Sequence, residues 1–129
     1  MPSKYQVITE MEAEHLRTLT VDTDHYMDFL TTAANNFKYS FQEQLLIFAQ
    51  KPDATACAEV SWWNKHGRWV NRNTKGIALL VDTDAPYKLR HVFDVSDTNS
   101  RAGKEVPIWK MEQRFVEPVK KVLAERYEV

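Results

Sequence analysis

Three tryptophans, Trp62, Trp63 and Trp69, lie among Lys65, Arg68, Arg72 and Lys75 in residues 61–76, SWWNKHGRWVNRNTKG. The segment holds no Asp or Glu, so its local charge is +4 in a chain whose formal net charge is −1. Cations bind phosphates, and flat indole faces stack on unpaired bases. Together these chemistries suit sequence-tolerant binding of a single nucleic-acid strand. The competing reading makes the rings core and leaves the cations solvated. Adjacent Trp62 and Trp63 cannot share one helix face, so at least one of them is expected to anchor the interior. Trp69 alternates with Arg68 and Val70 on a strand and takes the face opposite to both.

Other chemistries find little footing. His15, His25, His66 and His91 are scattered, with no HExxH and no paired Cys/His spacing, so no metal site is expected. Cys57 is the single cysteine, which excludes a disulfide within the chain and a cysteine-built zinc site. Its surroundings, TACAEV, are those of an inert buried thiol. Three glycines in all leave no phosphate-cradling loop, and no GxSxG is present. Asp94 and Asp97 in FDVSDT have two readings, acid/base or metal-binding groups on one side, a turn cluster bonding nearby backbone N–H groups on the other. Local propensity favours the turn. Gln42, Gln44 and Gln50 lie on the polar side of a helix, where amides can serve a ligand but solvation is the default. No catalytic residue and no cofactor is expected.

The elements that must position these residues follow from periodicity. Ile8, Met11, His15, Leu16 and Leu19 recur at helical spacing, predicting a helix over 8–19. Asp22 or Thr23 caps a second helix with Tyr26, Phe29, Leu30, Ala33 and Phe37 as its apolar stripe. Ser40-x-x-Glu43 is a capping box that opens a third, with Phe41, Leu45, Phe48 and Ala49 on one face, ending near Gln50 before Pro52. A short fourth helix covers 57–65 and stops at Gly67. Residues 68–70 and 77–81 flank a polar connection, 71–76, and read as a β-hairpin. A third strand spans 87–95, a loop 99–104. Met111, Phe115, Val119, Val122 and Leu123 mark a C-terminal helix, with Pro118 near its first turn or kinking it. The expected architecture is α+β: N-terminal helices packed on a small antiparallel sheet of about three strands, with a closing C-terminal helix, all in one domain over 1–129.

Bulk properties agree. With 43% hydrophobic residues, 129 residues can bury a core unaided. No apolar run approaches the ~20 residues of a membrane span, and the first ten residues hold no signal-peptide core. A cytoplasmic location is expected, without a membrane partner. Charge is uneven. Residues 1–30 carry two cations against six carboxylates, while 110–126 carry five cations against three. A polyanion would prefer one side if the two cationic stretches share a face.

The run YSFQEQLLIFAQKPDATACAEVSWWNKHGRWVNRNTKGIALL, followed by VFDVSDT, resembles the N-terminal domain of ArdC-type antirestriction proteins and related proteins of conjugative elements. The shared pattern is a Tyr-Ser-Phe helix start, a Leu-Leu-Ile run, a Gln-x-Pro-x-Ala turn, a Trp-Asn pair, Gly-Arg-x-Val, Lys-Gly-Ile-Ala and Phe-Asp-Val-Ser-x-Thr. It covers residues 26 to 98. The resemblance implies a bacterial single-stranded DNA-binding module, not an enzyme, fused to further domains in a longer protein. Two departures stand out. The family's Lys-x-Gly before the Lys-Gly-Ile strand is replaced by Asn71-Arg72-Asn73-Thr74, where Asn73 can supply the left-handed conformation of the lost glycine. Trp62-Trp63 doubles an aromatic that is normally single.

The expected interface holds Arg68, Arg72 and Lys75 on phosphates and Trp63 or Trp69 under a base, with Lys38, Tyr39, Asn64 and Lys65 as further contacts. The alternative is a protein–protein interaction module without nucleic acid, with conjugation or restriction proteins as partners, because a tryptophan–arginine patch is also the composition of interface hot spots.

Overall fold

The computed structural model describes residues 3–81, 88–100 and 112–127. Tyr87, the loop positions 101–104 and Met111 lie outside them. Helix α1 (Lys4–Val21) starts earlier than its apolar spacing predicts, because Ser3 and Gln6 form a capping box. Asp22 then caps α2 (Thr23–Asn35) by accepting from the His25 N–H. In α3 (Phe41–Gln50) the Ser40–Glu43 capping box is present with both of its bonds.

Four consecutive residues of α3, Leu45, Leu46, Ile47 and Phe48, are buried. The second half of α3 is apolar around its circumference and so is enclosed, while its first turn stays at the surface. Leu46 and Ile47 pack with Ile8, Ala54, Ile77, Ala78, Leu79 and Val92, between α1 and the sheet. Leu45 and Phe48, three apart on the other face, pack with Leu19 and Phe29 in the α1–α2 elbow. Five large members of the expected stripes fall outside this core, Leu16, Tyr26, Leu30, Phe37 and Phe41. Phe37 and Phe41 are more than half exposed, although the Phe41 ring still meets Phe29 edge-on at 5.7 Å.

Strand β1 (Cys57–Ala58) comes next, then α4 (Val60–Lys65), so the fourth helix is shorter than the predicted 57–65. Gly67 (φ 75°) takes the left-handed conformation after α4, as its position predicts. The remaining strands are β2 (Arg68–Val70), β3 (Ile77–Leu80), β4 (Leu89–Asp94) and β5 (Thr98–Ser100), with a 3₁₀ turn at Val95–Asp97. The predicted β-hairpin does not form. β3 pairs with β4 in an antiparallel three-stranded sheet ordered β1-β4-β3, while β2 pairs with β5, Trp69 opposite Asn99. The architecture is α+β, ending in α5 (Gln113–Tyr127). Pro118 stands inside α5, and none of the helix's residues is buried.

Two polar devices hold this frame. β3 is an edge strand of its sheet, and the Gln50 amide covers it like a neighbouring strand: Oε1 accepts from Ala78 N–H at 2.9 Å and Nε2 donates to Ala78 O at 2.8 Å. Asp94, 1% exposed, accepts from the N–H groups of Thr55 (2.8 Å) and Ala56 (2.9 Å), and from Ser96 N–H and Oγ. These donors offset the cost of burying the carboxylate.

Candidate nucleic-acid interface

The tryptophan segment divides into a buried part and an open part. Trp63 is 1% exposed, and its indole Nε1–H donates to Phe93 O on β4 at 2.9 Å. It pins α4 to the sheet. The expectation that Trp63 stacks a base is therefore corrected, since the ring is not accessible. Trp62 is half-buried, edge-on to Trp63 at 5.0 Å, with His66 stacked at 3.8 Å on its face. Asn64 and Lys65 are exposed on α4.

Trp69 differs. On β2, Arg68 and Val70 are half-buried and Trp69 is 46% exposed, the alternation that a strand with one covered face produces. Asn71, two residues on, and Asn99, directly across, share its side of the ladder, and the Asn99 amide donates to Asn71 Oδ1. The connection to β3 then turns at Asn73, whose φ of 62° is the left-handed conformation its sequence position suggested. Arg72 and Lys75 flank that turn, both exposed. Among the described residues neither forms an ion pair. The next residue, Gly76, lies so close to β4 that a Cβ would sit 3.0 Å from Phe93 Cζ and 3.2 Å from His91 Cβ.

Two expected contacts are spent on the fold. Arg68 donates from Nε to Thr98 Oγ1 (2.7 Å) and from Nη2 to Thr98 O (3.1 Å), clamping β2 to β5. Tyr39 donates its hydroxyl to Cys57 O at 2.9 Å, and Arg90 lies 5.9 Å from its ring centre. Burial, above all, pushes the Tyr39 phenol up to about 12. Lys38 is exposed in the α2–α3 turn. Of the expected contacts, Trp69, Arg72, Lys75, Lys38, Asn64 and Lys65 are exposed, whereas Trp63, Arg68 and Tyr39 bond within the fold.

The glutamines are also engaged, Gln42 with Glu12, Gln44 with the Ala33 and Asn36 carbonyls, and Gln50 as above. Cys57 is mostly covered, and burial first, then the Asp94 charge, push its thiol up to about 12. Sequence spacing gave no hint of the Arg90 cluster, in which the guanidinium bridges Glu59 (2.7 Å) and Glu43. Burial acts to raise the Glu43 carboxyl, but hydrogen bonds from Arg90 and Ser40 outweigh it and hold it below its ordinary value. His15 and His25 also meet, ring centres 5.8 Å apart across the α1–α2 elbow. No group of three or more metal-capable side chains occurs among the described residues.

A groove adjoins the turn. It measures about 690 Å³ and runs between α1, the end of α3 and residues 73–77, with Lys4, Lys51 and Lys75 among its lining. Comparison with protein-family models, with curated proteins and with solved structures finds no match for this chain.

Proposed function

We propose that this domain binds single-stranded DNA with little sequence preference, as a module of a mobile-element protein of the ArdC-like kind its sequence resembles. One observation carries the reading: Trp69 is about half open to solvent on the β2–β5 ladder, and the turn after it presents two exposed cations, Arg72 and Lys75, that form no ion pair among the described residues. An exposed indole offers a base a stacking surface, and nearby cations neutralise the flanking phosphates. Fluorescence anisotropy of a labelled oligo(dT) against Trp69→Ala and against Arg72→Glu/Lys75→Glu is the test. Each variant should weaken binding while staying folded, with stability within about 1 kcal/mol of the parent. Unchanged affinity in both would end this reading.

A second reading, a protein-interaction module, is favoured by α5. Phe115, Val119, Val122 and Leu123 form an apolar stripe that is exposed along its length. A complex insensitive to salt and to nuclease, and lost on Val122→Glu, would favour it over DNA binding.

A further inference from the structure

We propose that the groove beside the turn carries the sugar–phosphate backbone of the strand whose base stacks on Trp69, with Lys4 and Lys51 as phosphate contacts in addition to Lys75. This inference rests on the single-strand reading and extends it to residues outside the tryptophan segment. Lys75 belongs to both the exposed turn and the groove lining, so the turn that follows β2 borders the groove. Among the described residues three lysines line the groove against one lining carboxylate, Asp97, and Lys51 also meets the exposed Asp53 carboxylate at 3.7 Å. The local charge is therefore positive in a chain that is net acidic. The volume of about 690 Å³ lies within the ~300–1,000 Å³ range of ligand sites. The wall combines lysines with Ile8, Met11 and Ile77, a surface suited to a backbone that alternates phosphate and sugar.

Lys4 adds a second mark. Its ammonium donates to His91 Nε2 at 3.0 Å, which makes His91 a neutral acceptor. Burial, then the Lys4 charge, lower the His91 pKa from its ordinary value. An ammonium whose protein partner is a neutral ring, not a carboxylate, keeps its full charge for an anion. A phosphate drawing on Lys4 must alter that hydrogen bond, so the His91 imidazole reports occupancy of the groove.

The experiment compares the parent chain with Lys4→Gln/Lys51→Gln, using oligo(dT) anisotropy over a salt series and the His91 imidazole resonances. Lys120→Gln/Lys121→Gln on α5 is the control for net charge. Each lost phosphate contact lowers the salt slope by about 0.7 for a single strand, so the groove variant should lose about 1.4 and bind at least about tenfold more weakly at low salt. The control should keep the parent slope. In the parent, oligo(dT) should shift the His91 resonances. Binding that depends on Trp69 but keeps its slope in the groove variant, with His91 unmoved, would overturn the groove while leaving the single-strand reading intact. A parent that binds no single strand would overturn both.

Discussion

Trp63 and Trp69 stand six residues apart in one cationic segment, yet their surroundings are opposite. Trp63 closes the sheet and spends its N–H on Phe93 O, while Trp69 leaves about half its surface in water. Helical and extended backbone make the difference. On α4 the face carrying Trp63 turns toward β4, whereas on the two-stranded β2–β5 ladder alternation sends Trp69 outward once Arg68 and Val70 take the covered side. Composition alone cannot separate a buried indole from an exposed one. The element each rides on, and what covers that element, decides.

The contrast can be broken most sharply through stability. Trp63→Ala should cost about 3–5 kcal/mol, the range for removing a buried large aromatic. Trp69→Ala should stay within about 1 kcal/mol of the parent, as an exposed position does. Urea unfolding of both variants checks this, and equal losses would erase the distinction. Asp94→Ala should cost about 3 kcal/mol, because it strands the Thr55 and Ala56 N–H groups in a buried setting. A loss under about 1 kcal/mol would show that water replaces the carboxylate.

On the recognition side the order reverses. Trp69→Ala should weaken single-strand binding by about 1–3 kcal/mol, the usual worth of one stacked base. Conservative Trp69→Phe should recover part of it. Neutralising Arg72 or Lys75 singly should have a smaller effect, lowering the salt slope by about 0.7 each.

The smallest effects concern pH. Tyr39 and Cys57 are raised to about 12, so their burial favours the protonated forms. The folded state then binds more protons than the unfolded chain between their ordinary values and 12. Stability from these groups is full below about pH 9, declines above it and is gone beyond pH 12. Glu43 runs the other way. Its depressed value gives stability present above the ordinary carboxylate range and lost as pH falls through the folded value. Thermal unfolding across pH should show both shoulders, and Tyr39→Phe should remove part of the alkaline one. At pH 8 the Cys57 thiol should react with a disulfide reagent far more slowly in the folded protein than in urea.

Local signals were well written into the chain. The Ser40–Glu43 capping box, the Asp22 cap, the left-handed Gly67 and Asn73 and the apolar strand at Ile77–Leu80 each stand where side-chain chemistry puts them. Strand partners were less legible. β2 and β3 are joined by a short polar connection, which imitates a hairpin, but β2 pairs with Thr98–Ser100 across 30 residues. Those three polar residues show no apolar alternation, so their strand depends on the partner and not on their own propensity. β1 has two residues, too few for any period to register. The same limit hid the site's surroundings. Gln50 meets Ala78, Lys4 meets His91, and Arg90 meets Glu43, all through tertiary contacts far apart in sequence.

The most direct test of single-strand binding is anisotropy of matched single-stranded and duplex oligonucleotides, titrated with the parent protein at low and moderate salt. The single strand should bind more tightly, with affinity falling steeply as salt rises. Equal affinity for duplex and single strand, or no binding at low salt, would contradict it.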